Sequence, residues 1–115
     1  MIQFNLAHFS AGDSLVKLED NIYTVMHELV HVLAFSPMLY PFYIDPKTLQ
    51  PLPNVTMIKM VNGLNTTVLN TPPLTQRLRK HFNCSTLEGA YLENQGNAGN
   101  VGSHFERRVF FNEVK

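Results

Sequence analysis

The chain has 115 residues, of which 44% are hydrophobic and 16% charged, and its nine basic side chains balance nine acidic ones. This composition is typical of one globular domain and argues against an intrinsically disordered chain. The neutral charge disfavours a nucleic-acid-binding surface, so no nucleic-acid partner is expected. No apolar run reaches the roughly 20 residues that cross a bilayer, and the first residues lack the basic leader of a secretory signal.

Cysteine content and glycosylation motifs leave the compartment open. Cys84 is the single cysteine, so an internal disulfide is excluded. Asn-X-Ser/Thr sequons begin at Asn54, Asn65 and Asn83, and they would matter only if the protein entered a secretory pathway.

The first third of the chain predicts a strand and a helix. Residues 2–9 alternate apolar and polar side chains, a pattern typical of a half-buried strand. A helix is expected to begin between Lys17 and Asn21, with Asp20 or Asn21 as its cap, and to end near Phe35, because Pro37 pushes the preceding residue out of the helical region. Apolar residues at helical spacing should anchor this helix to a core. This stripe consists of Ile22, Val25, Met26, Leu29, Val30 and Leu33.

The remainder predicts a mixture of loops, strands and helices. Residues 37–53 are rich in proline and tyrosine and suggest an irregular loop. Asn62-Gly63 is a strong hairpin signal between two short strands, and Pro72 suits the first position of a second helix that runs to about Phe82. Residues 93–103 are rich in glycine and asparagine and predict a turning loop, which a short C-terminal helix over residues 104–114 should follow. The predicted fold class is α+β.

The motif "HELVH" places His27 and His31 four residues apart on the predicted helix. Such residues differ by about 40° around the helix axis and about 6 Å along it, so both imidazoles can reach one metal ion. Glu28 lies on the flank of the pair, where a carboxylate can take a proton from an activated water. The alternative is a solvated polar helix face on which the histidines are incidental.

A catalytic zinc needs a third protein ligand and one open position. In the commonest metzincin pattern that ligand lies six residues after the second histidine, where this chain has Pro37. The remaining candidates are His8, His81, Glu88, Glu93 and His104. His104 is favoured because the glycine-rich loop before it could return the chain to the helix, at an entropic cost that grows only logarithmically with loop length.

Three stretches, "HELVHVLAFS", "RKHFNCSTLEGAYLENQG" and "GSHFERRVFFNEV", resemble the leishmanolysin family of zinc metallopeptidases in wording and order. The resemblance covers most of the chain. It implies a metzincin-like α+β fragment with an edge strand, an active-site helix, an inserted hairpin and helix, a glycine-rich loop and a short C-terminal helix. Residues 1–115 would form part of one catalytic domain: 1–36 the strand and active-site helix, 37–103 the insertion, and 104–115 the third-ligand segment.

The resemblance also implies a zinc-dependent endopeptidase. One Zn²⁺ per chain would be held by His27, His31 and His104, with Glu28 as general base. Peptides or proteins would be the substrates, paired along the strand before the helix. The location would be extracellular or membrane-associated, with any membrane attachment through parts outside this chain.

An alternative function is a truncated, non-catalytic metal-binding or cell-adhesion remnant of such an enzyme. Two departures from the family pattern favour this alternative: the family's N-terminal sheet strands and C-terminal part are missing, and Lys115 stands where the family has the methionine of its Met-turn. Ala34 also replaces the glycine that follows the second histidine, a change that a helical residue can absorb unless the backbone there needs a positive φ.

Overall fold

The computed structural model describes residues 15–97 and 99–110 of the chain. The chain divides into two compact units, Met1–Leu33 and Ala34–Lys115. The strand predicted over residues 2–9 lies outside the described residues.

The described part of the first unit is helix α1, Leu15–Leu33. Its end agrees with the predicted end within two residues, but it begins earlier than predicted, and the expected cap at Asp20 or Asn21 is wrong. The reason is that residues 15–20 contain no helix breaker, so the helix extends through them. The carbonyl of Asp20 instead accepts a hydrogen bond from the hydroxyl of Thr24 at 2.9 Å, one turn further along.

The apolar stripe of α1 is not anchored to a core by the described residues. None of the residues of α1 is buried. Ile22, Met26 and Val30 are 50%, 55% and 52% exposed. The expectation of a buried stripe is therefore wrong for residues 15–33, the part of this unit that the structure describes.

The second unit is built around an antiparallel sheet in the order β1-β2-β3, with β1 at Thr56–Val61, β2 at Leu64–Leu69 and β3 at Ala90–Tyr91. Asn62 and Gly63 connect β1 to β2 with φ angles of 51° and 79°. Positive φ at both central residues is the requirement of a type I′ hairpin turn, so the predicted hairpin is confirmed.

Helix α2, Pro72–His81, follows the hairpin with Thr71 before it and Pro72 at its first position, as predicted. Asn83, at a φ of 48°, adopts the left-handed conformation that commonly ends a helix. The predicted loop over residues 37–53 contains one short 3-10 helix, Tyr40–Phe42. An isolated bridge pairs Ile44 with Pro51.

The C-terminal helix predicted over residues 104–114 is wrong as far as residue 110, and the remaining residues lie outside the described chain. Residues 104–110 form a bridge and turns. The backbone N–H of Glu93 donates to the carbonyl of His104 at 2.7 Å, and the N–H of Glu106 donates to Tyr91 at 2.8 Å. These bonds, with the bridge between Leu92 and Phe105, add the segment to the sheet beside β3 and hold it extended.

The core of the second unit combines residues of the sheet with aromatic residues that precede and follow the strands in the chain. Its buried members are Tyr40, Val55, Leu69, Ala90, Leu92 and Phe110. Phe35 and Phe105 pack against this core with ring centroids 4.9 Å apart. Two α-helices and a three-stranded antiparallel sheet in the described residues confirm the α+β class.

A search of the described residues for membrane-spanning helices found none of sufficient length and hydropathy.

Candidate metal centre

Helix α1 brings the rings of His27 and His31 together. Their Nε2 atoms lie 3.0 Å apart, and the rings meet edge to face with centroids 4.5 Å apart. Two imidazoles on one tetrahedral zinc, each at about 2.0–2.1 Å, have their nitrogens roughly 3.3 Å apart. The pair therefore fits one zinc ion, and small ring rotations would give the ideal separation. At 3.0 Å one ring can also donate a hydrogen bond to the other when no metal is bound.

Glu28 lies on α1 between these histidines and is exposed. Helical geometry places it about 100° around the axis from His27 and about 60° from His31. Its carboxylate is thus too far around the helix to join them as a ligand. It borders the pair, where a general base is needed.

His104 lies in the second unit, in the segment that extends the sheet, and it is half-buried. Its Nδ1 atom lies 3.3 Å from the hydroxyl of Ser103 and 3.4 Å from the carbonyl of Asn100. A metal-bound histidine usually donates its second ring N–H to a carbonyl or carboxylate, which fixes the tautomer. A bond of this kind from Nδ1 would leave Nε2 as the ring nitrogen available to a metal.

Backbone bonds to Glu93 hold both ends of the three-residue stretch that ends at His104. The N–H of Gly102 donates to the carbonyl of Glu93 at 2.8 Å, and the N–H of Glu93 donates to the carbonyl of His104 at 2.7 Å. A third bond comes from another part of the unit: the hydroxyl of Tyr40 donates to the carbonyl of Gly102 at 2.7 Å.

The carboxylate of Glu93, one of the alternative third ligands, is occupied within its own turn. It is 8% exposed, and its Oε1 accepts the backbone N–H groups of Asn94 at 3.1 Å and Gln95 at 3.0 Å. Its Oε2 lies 3.7 Å from Nε of Arg107. The side chain therefore stabilises the start of the glycine-rich loop.

The other alternative ligands also have different surroundings. Glu88 forms an ion pair with Lys59, and the hydrogen bond from that ammonium raises the pKa of Lys59. His81 is an exposed residue in the last turn of α2, and its ring contacts Phe82 at a centroid distance of 4.7 Å. His8 lies outside the described residues.

A polar network lies beside His104. For Glu106 and Arg108 the sequence allows either an ion-pair network near His104 or a solvated helix face, and it favours the second, whereas the structure shows the first. Glu106 is 3% exposed and its carboxylate accepts a hydrogen bond from Nε of Arg108 at 2.7 Å. This bond is the main reason that the pKa of the Glu106 carboxyl is lowered. Arg108 also donates to Asn94 at 2.7 Å, and Asn94 donates to the hydroxyl of Thr66 in β2 at 2.8 Å. No local pattern could have revealed that the network extends to Asn94 and Thr66, which come from separate segments.

Tyr40 and Tyr43, in the segment that follows α1, make structural contacts through their hydroxyls. Burial raises the pKa of Tyr40 and of Tyr43 above the usual value. The hydroxyl of Tyr43 donates to the carbonyl of Ala34 at 3.0 Å, as that of Tyr40 does to Gly102. Tyr40 is 4% exposed and belongs to the core of the second unit.

Comparison with known proteins identifies the family. The sequence profile described as leishmanolysin matches residues 4–115, and the chain belongs to this peptidase family. A leishmanolysin-like peptidase of Drosophila melanogaster is 34% identical over 96% of this chain. One of Caenorhabditis elegans is 34% identical over 79% of the chain, and leishmanolysin of Leishmania major is 34% identical over 73%.

The chain spans only part of these relatives. It covers 20% of the length of the Drosophila melanogaster protein, 18% of the Caenorhabditis elegans protein and 13% of the Leishmania major protein. No solved structure is significantly similar to the chain.

Proposed function

We propose that this chain is part of a zinc-dependent endopeptidase, in which His27, His31 and His104 hold one Zn²⁺ and Glu28 is the general base. The observation that carries the proposal is the 3.0 Å separation of the His27 and His31 Nε2 atoms, with Glu28 beside them on the same helix. Membership of the leishmanolysin family supports it. The inclusion of His104 rests on its "GSHF" context and on the contact of its Nδ1 with a backbone carbonyl.

In the proposed reaction, zinc would polarise the scissile carbonyl and lower the pKa of the attacking water towards 7. Glu28 accepts the proton of that water as the carbonyl carbon is attacked, and then transfers it to the departing amine. The three imidazoles remain neutral throughout, because only the unprotonated ring nitrogen can bind a metal. The chemistry assigned to this chain is thus metal holding and proton transfer.

The proposal extends to substrates and organisation. Residues 1–36 and 104–115 would contribute the ligand-bearing segments, and residues 37–103 would be an insertion between them. The substrates would be peptides or proteins, in keeping with the relative in Drosophila melanogaster, a leishmanolysin-like peptidase. An extracellular or membrane-associated location is proposed on the same family grounds.

Glu28→Gln in the 115-residue chain tests the catalytic part of this proposal. We expect peptide hydrolysis to fall by roughly 10²–10⁴-fold, the usual contribution of a general base, while one zinc per chain stays bound. Cleavage of a mixed peptide pool, followed by mass spectrometry, measures the first quantity, and metal analysis measures the second.

Glu19→Gln is the matched control, because Glu19 lies on the same helix, where it accepts a hydrogen bond from Tyr23 at 3.3 Å. It should leave both quantities unchanged. Zinc-loaded chain that cleaves no peptide, or cleavage that survives Glu28→Gln, would refute the assignment of Glu28.

A second candidate is a non-catalytic metal-binding or cell-adhesion remnant, which the lack of any buried residue in α1 favours. Thermal unfolding followed by circular dichroism, with and without zinc, separates the two. The endopeptidase proposal expects a cooperative transition that zinc moves to higher temperature. The remnant proposal expects none in either condition.

A further inference from the structure

We propose that Tyr40 is a positioning residue for the third zinc ligand, because its hydroxyl fixes the backbone that presents His104. This inference rests on the proposed function, in which His104 binds the metal. Tyr40 itself would contact neither metal nor substrate. Its contribution would be to hold Gly102, two residues before His104, in one conformation.

Packing of the Tyr40 ring holds its hydroxyl in position for the hydrogen bond. The side chain is 4% exposed. Its ring meets those of Phe35 and Tyr43 edge to face, with centroids 5.9 Å and 5.7 Å away. The hydroxyl then donates to the Gly102 carbonyl at 2.7 Å, across 62 positions of sequence. A short hydrogen bond from a tightly packed side chain also restrains the position of its acceptor, which here is the Gly102 carbonyl.

The backbone conformation of Gly102 is also restricted by its own φ angle and by its neighbours. Its φ is +75°, a conformation that side chains with a Cβ rarely adopt, and a Cβ there would lie 3.0 Å from Cγ of Pro37. Its N–H donates to Glu93. Among the described residues, the Gly102 carbonyl thus accepts the bond from Tyr40 and the Gly102 N–H donates to the backbone of Glu93, and of these two bonds the one from Tyr40 is made by a side chain.

The contacts around Gly102 come from the segment that follows α1 directly. Phe35 and Tyr40 lie shortly after His31 in the chain, and Phe35 contacts Phe105, the residue after His104, at a centroid distance of 4.9 Å. The turn over residues 36–43 therefore contacts the backbone just before His104, and Phe35 packs against Phe105, the residue after it. Loss of the Tyr40 hydroxyl should therefore weaken the restraint on the position of His104 more than it weakens the packing of the core.

Tyr40→Phe is the direct test, because it removes the hydroxyl and keeps the ring. Loss of a group that hydrogen-bonds directly to a metal ligand typically weakens metal binding by about 10–100-fold. Tyr40 acts on the backbone two residues before the ligand, so we expect zinc affinity to fall by an amount near the lower end of that range, about tenfold. Competition with a chromophoric chelator measures the affinity. Replacing zinc by Co²⁺ should also show an altered visible absorption band, which reports ligand geometry directly.

Thr75→Val is the matched control for a merely structural effect. The Thr75 side chain is also buried, and its hydroxyl lies 3.3 Å from the carbonyl of Glu88 as a hydrogen-bond donor, away from the His104 segment. This variant should lower the thermal midpoint of the metal-free chain without changing the zinc affinity or the Co²⁺ spectrum. A zinc affinity within twofold of the wild type in Tyr40→Phe would overturn the proposal, whatever its thermal midpoint.

A second variant serves if Tyr40→Phe does not fold. Pro37 is exposed, and Pro37→Ala removes the ring carbon that a Cβ at Gly102 would meet at 3.0 Å, with little loss of core. We expect a measurable weakening of zinc binding, and unchanged binding would overturn the proposal.

His104→Ala separates this inference from the proposed function. If that variant binds zinc as tightly as the wild type, both fail. If His104→Ala loses affinity and the Tyr40 and Pro37 variants do not, only the positioning role of Tyr40 fails.

Discussion

Burial distinguishes the roles of three chemically identical side chains in this chain. Glu93 and Glu106 are 8% and 3% exposed, and their carboxylates accept hydrogen bonds from nearby backbone and arginine groups. Glu28 is exposed and lies beside the histidine pair. The buried carboxylates stabilise the structure around His104, and the exposed one is suited to exchange protons with a substrate.

Cys84 provides a test at the same scale that is independent of the metal. The hydrogen bond from the Thr86 side chain, with Sγ and Oγ1 3.5 Å apart, is the largest cause of a lowered pKa for this thiol. A lowered pKa means that the reactive thiolate forms at lower pH than usual. The rate of alkylation by iodoacetamide should therefore reach half its maximum at a lower pH than it would without the bond from Thr86.

Thr86→Val removes the donor and should move this midpoint to higher pH. Thr48→Val, a hydroxyl elsewhere on the surface, is the control and should leave it in place. An identical midpoint in the wild type and in Thr86→Val would contradict the assigned cause.

At the scale of elements, the short strand β3 organises the second unit. Leu92, directly after it, is fully buried, its N–H donates to Thr67 of β2 at 2.8 Å, and it bridges to Phe105. Leu92→Ala should lower the free energy of unfolding by about 2–5 kcal/mol, because it leaves a cavity in the core. Urea denaturation measures this.

Leu64→Ala is the matched control, since Leu64 begins β2 and is 40% exposed. It should lower the free energy of unfolding by much less. Equal losses in the two variants would show that the described core is not the one that stabilises the unit.

Gly89, directly before β3, is required by close packing against β2. A Cβ at this position would lie 2.4 Å from the backbone carbonyl oxygen of Leu69, which cannot move without disturbing the strand pairing. Gly89→Ala should therefore lower the free energy of unfolding by about 1–3 kcal/mol or more. Gly99→Ala, where nothing lies within 4 Å of the added Cβ, should be close to neutral in the same denaturation experiment. A neutral Gly89→Ala would contradict the close approach.

Elements with local signals could be predicted from the sequence, and those made by distant partners could not. The type I′ turn at Asn62 and Gly63, and Pro72 at the start of α2, depend on the conformational preferences of single residues. The segment from His104 to Phe110 was predicted wrongly because its sheet bonds to Tyr91 and Glu93 are formed with residues outside any helical window.

The candidate site shows the same difference between features with local sequence signals and features made by distant partners. His27, Glu28 and His31 follow from helical spacing alone, and His104 was favoured over other candidates through its loop and the family resemblance. The hydrogen bond from Tyr40 to Gly102 could not be predicted, since no spacing rule connects residues 62 positions apart.

For the whole molecule, the proposed zinc should couple the ligand-bearing segments to folding. A ligand that binds only the folded chain stabilises it by about 2.7 kcal/mol at a free concentration 100 times its dissociation constant. Zinc should accordingly raise the thermal midpoint of the wild-type chain, and a chelator should reverse the change. In a His27→Ala, His31→Ala double variant the shift should disappear, whereas His81→Ala should retain it. A zinc-induced rise in the thermal midpoint that persists in the double variant would show that the metal binds elsewhere.

The most direct measurement of the central claim is X-ray absorption at the zinc edge on the metal-loaded chain, because multiple scattering counts the imidazoles bound to the ion. With His27, His31 and His104 as ligands, the wild-type spectrum should fit three imidazoles and one oxygen at about 2.0–2.1 Å. The His104→Ala spectrum should fit two imidazoles. Three imidazoles in His104→Ala, or fewer than three in the wild type, would contradict the proposed ligand set.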